Sequence, residues 1–356
     1  MRKLIAAAAA ALLALTVAAC GGGDGGETTA AQQTTAAQQT TTASAGSTIK
    51  VGLVTDIGQL NDRGFNQLAY QGLKRAQREL GIQGRVLESP SSAEYIPNLS
   101  SLARQGYDLI VGVGFDQANA VDSVARKFPD RDFAIVDVDR NDLPHKPANV
   151  RGLLFREQQV GYLAGYLAAL VAKQGVGPAK PKLVISTVGG QKQPPVDRFI
   201  AGYQAGAKKA VPGIRTLNAY SQNWVDQAKC KELALNQIAA GSQVVFAVAG
   251  GCGLGALDAA KERNVWAVGV DADQSYLGKH ILTSATKGVD EAVYQTIQDV
   301  VDGSFSGGNV DYGLDQRGVG LGRISTEVPQ SMVATVNHVK RQIADGNIED
   351  IPTTVK

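Results

Sequence analysis

Residues 49–80 read IKVGLVTDIGQLNDRGFNQLAYQGLKRAQREL, where a strand-like run leads through a polar turn into a helix-like run. The run from Ile49 to Val54 is short and rich in β-branched residues, which is typical of a buried strand. From Phe65 to Leu80 the apolar residues recur three and four positions apart, the spacing of one buried helix face. This strand–helix unit predicts an α/β fold with a mostly parallel sheet.

The same unit recurs along the chain. Further strands are predicted at residues 85–88, 108–111, 133–136, 183–186, 244–248, 265–270 and 281–283. Their nearly continuous apolar runs indicate strands that are covered by helices on both faces. Several predicted strands end in an aspartate or a glycine-rich turn, at Asp56, 112–114, Asp137, 189–190, 250–251 and Asp271. Because ligands of open α/β sheets bind outside the carboxyl ends of the strands, these turns predict a ligand cleft.

The length of the chain favours two lobes, because single cores stop growing at about 250–300 residues and residues 48–356 exceed that size. We expect a first lobe of residues 48–155 plus 286–320 and a second lobe of residues 156–285 plus 321–356. Connections between the lobes are expected at 140–158, which contains Pro144 and Pro147, and at 272–290. A helix at 328–343 is expected to pack on the second lobe.

The first 47 residues predict export and membrane attachment. Arg2 and Lys3 precede an apolar segment at 4–17, as in a bacterial secretory signal, and this segment is shorter than the roughly 20 residues that span a bilayer. The junction at Cys20 resembles a lipobox, in which the cysteine becomes the first mature residue and carries palmitate and other lipid chains; an ordinary signal peptide with an incidental cysteine is the alternative. Residues 21–47 contain no aromatic residue and no Leu, Ile or Val, so we expect a disordered linker outside the bacterial cell membrane.

Composition argues against several classes of protein. The formal net charge is only +2, and no cluster of basic and aromatic residues predicts a nucleic-acid partner. The three histidines are far apart, without the spacing of a zinc site. A G-x-S-x-G motif for an acyl-transfer nucleophile is absent from the sequence. We therefore expect no catalytic residue, no metal and no cofactor.

The stretch VTDIGQLNDRGFN at 54–66 closely resembles the opening motif of the basic membrane protein (BMP) family. The similarity continues in the same order at 189–190, 194–196, 199–203, 224–229, 249–255, 269–274 and 282–287. Members of this family are lipoproteins that include the purine-nucleoside-binding components of ABC importers. The resemblance implies the type I periplasmic-binding-protein fold, two doubly wound parallel-sheet lobes joined by a hinge. It also implies a monomeric substrate-binding protein that delivers a nucleoside, with purine nucleosides favoured, to an ABC transporter permease.

The resemblance places several ligand contacts in the first lobe. Asp56 would accept hydrogen bonds from the ligand, Phe65 would stack on one face of the base, and Asn66 would hydrogen-bond the ligand. A turn residue is the alternative for Asp56, and a simple core residue is the alternative for Phe65. Asn61 is also assigned to the site, although Asn61 and Asp62 could equally be N-caps of the Phe65 helix.

Further contacts are implied in the second lobe and beside the hinge. Trp224 resembles the opposite aromatic wall, and each stacking partner would contribute roughly 1–3 kcal/mol. Asp137 would meet the base edge, while Asp271 and Lys287 would bind the sugar hydroxyls. An ordinary strand-end aspartate is the alternative for Asp137, and a solvated surface lysine is the alternative for Lys287. The remaining expected contacts are Gly114, Phe115, Phe199 and Gly251.

Two departures from the family pattern stand out. Cys230 and Cys252 occupy positions where relatives have small residues, and both are expected at the cleft end of the second lobe. In an oxidising compartment two such cysteines favour a disulfide over free thiols. The run Gln191-Lys192-Gln193 replaces a more apolar segment, so the ligand preference could differ if this loop reaches the pocket.

Other functions remain as alternatives at this point. The ligand could be another small polar molecule, such as a sugar or a sugar-like signal. The glycines at 251–255 follow a strand, and Asp271 lies roughly 20 residues further on, which weakly resembles an NAD-binding fingerprint. The glycine spacing differs from that fingerprint, and an exported chain would have to find NAD outside the cytoplasm. A structural or adhesin-like protein would not need polar and aromatic residues at its strand ends.

Overall fold

A computed structural model describes residues 48–355 of the chain. The predicted signal segment, the lipidation site Cys20 and the linker lie outside the described residues. In the described part, helices alternate with strands that form two six-stranded sheets. We call the parts of the chain built on these sheets the first and the second lobe. Among the helices of residues 48–355, none is long and apolar enough to cross a membrane.

The strands and helices follow one another in nearly regular alternation. The strands are β1 (Lys50–Val54), β2 (Gln83–Leu87), β3 (Leu109–Val113), β4 (Asp132–Val136), β5 (Val150–Phe155), β6 (Val184–Gly189), β7 (Arg215–Tyr220), β8 (Val244–Val248), β9 (Trp266–Asp271), β10 (Ile281–Lys287), β11 (Gly308–Tyr312) and β12 (Val319–Leu321). The helices are α1 (Phe65–Glu79), α2 (Tyr95–Arg104), α3 (Ala118–Lys127), α4 (Glu157–Gln174), α5 (Pro194–Ala210), α6 (Gln227–Ala239), α7 (Gly250–Glu262), α8 (Val289–Val301) and α9 (Gln330–Ala344).

The first sheet has the strand order β11-β5-β4-β3-β1-β2, and every neighbouring pair is parallel. From β1 the chain turns to β2 on one side and then to β3 on the other. The carboxyl ends of β1 and β3 therefore flank a topological switch point, where open α/β sheets leave a crevice for ligands. Asp56 follows β1 and Gly114 follows β3, so both lie at this crevice.

The second sheet has the order β12-β10-β9-β8-β6-β7. Its pairs are parallel except for β12, which runs antiparallel to β10. The switch point of this sheet lies between β6 and β8, which are followed by Gly190 and Ala249. The structure thus has two doubly wound sheets, and the predicted α/β fold class is confirmed.

The chain passes between the lobes three times. Arg156 connects β5 of the first sheet with α4, which packs against α5 of the second lobe. Gly288 connects β10 of the second sheet with α8, which packs on α1. Residues 313–318 connect β11 with β12. The crossing at Arg156 lies inside the expected range of 140–158, near its end, because Val150–Phe155 is still a strand of the first sheet and the two prolines belong to the loop before it.

The close packing of helices α4 and α5 positions the connection at Arg156 relative to the cleft. Their glycines let the two backbones meet directly: a Cβ added at Gly165 would overlap the carbonyl of Tyr203, and one at Gly206 would overlap the carbonyl of Tyr162. Because α4 begins at Glu157 beside the first connection and α5 begins at Pro194 beside the cleft, this close packing fixes both starting points relative to each other.

Candidate ligand-binding cleft

One cavity lies where the carboxyl ends of the two sheets face each other. It encloses about 600 Å³, including its open mouth, which is within the range of small-molecule sites. Ten of the residues expected to contact the ligand line it: Asp56, Phe65, Asn66, Gly114, Phe115, Asp137, Phe199, Trp224, Asp271 and Lys287. The structure therefore brings these side chains together around a single space, and their contacts with a ligand stay a prediction.

Asp56 and Asn66 form the polar wall of the first lobe. Asn66 donates from Nδ2 to Oδ1 of Asp56 at 2.6 Å, and the backbone N–H of Gly58 donates to the same oxygen at 2.8 Å. Burial raises the pKa of Asp56 to about 7, although these hydrogen bonds oppose the shift. The second oxygen, Oδ2, faces Gly114, where an added Cβ would lie 3.0 Å away.

Asp62 caps the helix that carries Phe65. Its buried carboxylate accepts hydrogen bonds from the backbone N–H groups of Asn66 at 2.7 Å and of Gln67 at 3.2 Å, in the first turn of α1. Burial raises the pKa of Asp62 as well, against the effect of these donors. Asp62 also lines the cavity, whereas Asn61 is exposed and does not. The ligand contact assigned to Asn61 stays a prediction; in this structure the turn before α1 places Asp62, and not Asn61, at the cavity.

Gly114 gives the phenyl ring of Phe65 room at the cavity wall. The backbone φ of Gly114 is 110°, a conformation that favours glycine. A Cβ at this position would come within 3.4 Å of Cε1 of Phe65. The glycine after β3 therefore serves both the turn and the close approach to the aromatic ring.

Lys287 occupies the deep end of the cavity, beside the hinge, and is only 3% exposed. Its ammonium lies 2.7 Å from the carboxylate of Asp137 and 3.0 Å from Oε1 of Glu157. The rings of Phe65, Phe155 and Phe199 surround it, with centroids 5.0 to 5.7 Å from Nζ. Burial alone would lower the pKa of Lys287, but the neighbouring carboxylates outweigh it and raise the pKa above its ordinary value. We call Lys287, Asp137 and Glu157 the hinge cluster; the solvated-lysine alternative does not fit it.

Asp271 projects into the cavity from the end of β9, with a left-handed backbone φ of 62°. Burial raises its pKa to about 7, while the charge of Lys287 acts in the opposite direction. A Cβ added at Gly64 of the first lobe would lie 3.5 Å from Oδ2 of Asp271, so this carboxylate spans the gap between the lobes. Within residues 48–355 no protein group donates a hydrogen bond to it, which leaves its oxygens available to hydroxyl donors of a ligand.

Trp224 forms the wall that the second lobe contributes near the mouth. Its ring packs on Gly190, where any Cβ would collide with the ring atoms. Its indole Nε1 donates to Oδ2 of Asp116 in the first lobe at 3.2 Å. Gln193 donates from Nε2 to Oδ1 of the same aspartate at 2.6 Å. We call these three residues the rim cluster.

Sequence reasoning assigned neither Asp116 nor Glu157 to this cleft, and it considered Gln193 only as part of a loop that could reach the pocket. Gln193 belongs to the run noted as a departure from the family, and it does reach the cavity. Asp116 follows Phe115 in the turn after β3, which was a detectable signal. For Glu157 the sequence contains no such signal, because glutamate is common in the first turn of a helix.

Gly251 does not line the cavity; its neighbour Gly250 does. The ligand contact expected of Gly251 therefore stays a prediction, and of these two glycines Gly250 lies at the cavity wall. Gly250 has a φ of 53°, which turns the chain from β8 into α7, while Gly251 faces the carbonyl oxygen of Trp224. The sequence Gly-Gly alone does not indicate which of the two glycines adopts the positive φ of the turn.

Cys230 and Cys252 form the expected disulfide in this structure, with their Cα atoms 5.6 Å apart. Both are fully buried, and they join the first turns of α6 and α7. The loop that carries Trp224 ends beside this link, because the backbone N–H of Cys252 donates to the carbonyl of Trp224 at 2.8 Å. The disulfide thus holds the backbone beneath the tryptophan.

Known proteins with similar sequence or structure fit this architecture. The CD4+ T-cell-stimulating antigen of Listeria monocytogenes is 34% identical over 324 residues, covering 84% of this chain and 87% of the relative. The ABC transporter nucleoside-binding protein BmpA of Lactococcus lactis subsp. cremoris is 33% identical over 325 residues, covering 84% and 88%. A solved ABC transporter solute-binding protein from Aeropyrum pernix K1 aligns with a TM-score of 0.77 at 28% identity, covering 85% of this chain and 94% of that one.

Two lobes with a ligand-sized cavity at their facing strand ends are the architecture shared with the solved ABC-transporter solute-binding protein. The chain belongs to the Bmp family of PnrA-like ABC transporter substrate-binding proteins, whose sequence profile matches residues 49–350. The resemblance drawn from residues 54–66 is thereby confirmed. In this family the cleft captures a solute and is not an enzyme active site.

The dinucleotide alternative fails on structural grounds as well. The glycines at 251–255 lie inside helix α7, not in a loop that could wrap a pyrophosphate. A Cβ at Gly255 would overlap the carbonyl of Gln227, so this glycine allows α7 to pack closely on α6. Gly255 is therefore explained by helix packing and not by nucleotide binding.

Proposed function

We propose that this protein captures a nucleoside between its two lobes, with purine nucleosides favoured, and delivers it to an ABC transporter permease. The observation that carries the proposal is the composition of the cavity between the lobes: an aromatic side chain from each lobe, Phe65 and Trp224, together with the available carboxylate of Asp271. Aromatic faces suit a flat base, and an ionised carboxylate accepts two vicinal hydroxyls. The L. lactis relative is named as a nucleoside-binding protein, which supports the same ligand class.

Each contact has a defined role in this proposal. Phe65 and Trp224 stack on the base, and Asp137 accepts a hydrogen bond from its edge. Asp271 and Lys287 bind the sugar hydroxyls as acceptor and donor. Asp56 and Asn66 bind the remaining polar groups, and Gly114, Phe115 and Phe199 shape the walls.

Capture requires no chemical step. The ligand bridges the lobes and stabilises the closed state by binding it more tightly than the open state. Closure is a hinge motion at the three connections, and the permease recognises the closed form. Relatives named as lipoproteins support a lipid-anchored location outside the cytoplasm, which Cys20 would provide.

A panel of ligands tests the ligand class by thermal shift and calorimetry. At a concentration 100-fold above its dissociation constant, a bound ligand stabilises the protein by about 2.7 kcal/mol. We expect this from inosine, guanosine or adenosine and not from free bases, amino acids or ribose. Arabinosyl nucleosides, which invert one of the vicinal hydroxyls, should bind more weakly.

The second candidate ligand is a sugar, because the hinge cluster and Asp271 would suit a polyol. A panel in which pentoses or hexoses stabilise the protein and nucleosides do not would replace the proposal with this alternative. Asp271→Ala would weaken either ligand, whereas Trp224→Ala and Phe65→Ala distinguish a stacked base from a bare sugar by the size of the loss.

A further inference from the structure

The rim cluster joins the two lobes through one carboxylate. Asp116 lies in the short turn after β3, in the first lobe, and its two oxygens accept from two different segments of the second lobe. One donor is the indole N–H of Trp224, in the loop after β7. The other is the side-chain amide of Gln193, immediately before α5. All three side chains are partly exposed, at the mouth of the cleft.

We propose that Asp116 is a positioning residue that fastens the lobes together at the mouth and sets the orientation of the Trp224 ring. The fastening stands on the two cross-lobe hydrogen bonds alone. The consequence for ligand contact rests on the proposed function, in which the Trp224 ring stacks on the base.

Two contacts determine how the Trp224 ring lies. On one side Gly190 and Gly250 lie against the six-membered ring, and neither position could accommodate a Cβ without crowding or strain. On the other side the indole N–H, which is the only hydrogen-bond donor of the side chain, points to Asp116. Since its N–H is occupied, Trp224 offers its face and not its polar edge to the cavity.

The carboxylate makes these hydrogen bonds stronger than neutral ones, because charge-assisted bonds are roughly twice as strong. Gln193 is held by a second contact, since its Nε2 also lies 3.2 Å from Oε1 of Gln191. The polar run at 191–193 therefore supplies a donor to the first lobe. Opening the cleft must break both bonds to Asp116 before Trp224 can leave the base.

The experiment uses the full chain, purified in detergent, with Trp224 as the reporter. The sequence contains two tryptophans, and the other, Trp266, is fully buried in the second lobe and gives a constant background. Acrylamide quenching measures how accessible Trp224 is in ligand-free protein, and stopped-flow fluorescence measures the dissociation rate of inosine. The variants are Asp116→Ala and Asp116→Asn, and the charge-matched control is Asp130→Asn, an exposed residue in the turn before β4.

We expect Asp116→Ala to increase the quenching constant of Trp224 about twofold and the inosine dissociation rate about tenfold, the effect of losing a charged hydrogen-bond partner. Asp116→Asn keeps one acceptor oxygen and should fall between this variant and the wild type, which a folding defect would not produce. Asp130→Asn should match the wild type in both measurements.

A double-variant background identifies the partners. In Trp224→Phe/Gln193→Ala, which removes both donors, adding Asp116→Ala should change the inosine dissociation rate less than about twofold, because interacting residues are not additive. A full tenfold effect in that background would overturn the proposal, as would unchanged quenching and dissociation in Asp116→Ala. If wild-type protein does not bind inosine, the proposed function fails, while the quenching measurement still decides whether Asp116 fastens the lobes.

Discussion

At each end of the cleft, a carboxylate binds groups of the opposite lobe. These contacts are buried at the hinge end and partly exposed at the mouth. In the hinge cluster, Asp137 and Glu157 hold an ammonium that is nearly inaccessible to water and lies among three phenyl rings. In the rim cluster, Asp116 accepts from two neutral donors on partly exposed side chains. Buried ionic contacts are costly to break singly, whereas exposed ones are screened and reversible.

This difference matches what a hinged binding protein requires. In the proposed hinge motion, the end beside the connections would stay assembled while the lobes separate, so its groups would hold one geometry for the ligand. The mouth must open for every ligand, so its contacts should be weak enough to exchange. We therefore expect substitutions at the hinge cluster to change the free energy of unfolding, and substitutions at the rim cluster to change mainly the rate of ligand release.

The largest effect is expected from Lys287→Met. Removing the ammonium leaves the buried carboxylate of Asp137 without its partner, while Glu157 keeps Arg198 at 3.0 Å. An unpaired buried charge typically costs about 3–5 kcal/mol. We expect the free energy of unfolding in urea to fall by that amount and nucleoside binding to be lost. The matched control is Lys340→Met, an exposed residue of α9, with an expected change below about 0.5 kcal/mol.

A neutralised version shows whether unpaired charge is the cause. In Lys287→Met/Asp137→Asn the unpaired carboxylate is gone and Glu157 keeps its contact with Arg198, so most of the lost stability should return while binding stays absent. If the double variant is as unstable as Lys287→Met, the ammonium contributes by packing and not by pairing, and the contrast between the two ends of the cleft weakens.

The next largest effect is expected from removing the Cys230–Cys252 disulfide, which lies beside the loop that carries Trp224. Replacing Cys230 and Cys252 with alanine opens a link that closes a separation of 22 residues. The chain-entropy model gives a cost of roughly 3 kcal/mol for a loop of that size. Thermal and urea unfolding should show this loss, and acrylamide should quench Trp224 more strongly, because the disulfide holds the backbone under its loop. Equal stability of the wild type with and without reductant would contradict the expectation.

Much of the fold could be predicted because its strands are buried on both faces. Continuous apolar runs such as Val244 to Val248 predict strands in the protein interior, and the helices between them each show one apolar face. The strand β5 was missed because it follows a proline-rich loop and contains Arg151. This buried arginine is held by Asp299, the carbonyl of Ser306 and the ring of Phe305. An isolated charge in a strand looks like a surface position until its partner is known.

For the site as well, residues could be predicted where local sequence determines their position, and not where their role depends on a partner far away in the sequence. Residues at strand ends, such as Asp137 and Asp271, could be predicted because the position of a ligand in this fold follows from topology. Asp116 and Gln193 could not be paired from sequence, since they are 77 positions apart and meet only across closed lobes. Glu157 acquires its role from Lys287, 130 positions away.

The smallest effect expected, and the one with a definite sign in pH, is that of Asp271→Asn. Burial raises the pKa of Asp271 from an ordinary 3.8 to about 7 in the folded protein. An acid with a raised pKa costs the fold nothing below about pH 4, and its cost grows as the pH rises toward 7 and stays in full above it. The neutral asparagine avoids that cost, so the variant should match the wild type at pH 4 and exceed it at pH 8.

We expect a gain of about 1 kcal/mol at pH 8, less than the whole shift would give, because opening of the lobes lets water reach the ionised carboxylate. That corresponds to a rise of about 2–4 °C in Tm, measured by calorimetry without ligand. The same variant should lose nucleoside affinity, and the affinity of the wild type should increase as the pH rises to 7, because hydroxyl donors select the ionised form. A variant that is equally stabilised at both pH values, or that binds as well as the wild type, would show that Asp271 is a neutral structural residue, and that the second lobe meets its ligand through Trp224 alone.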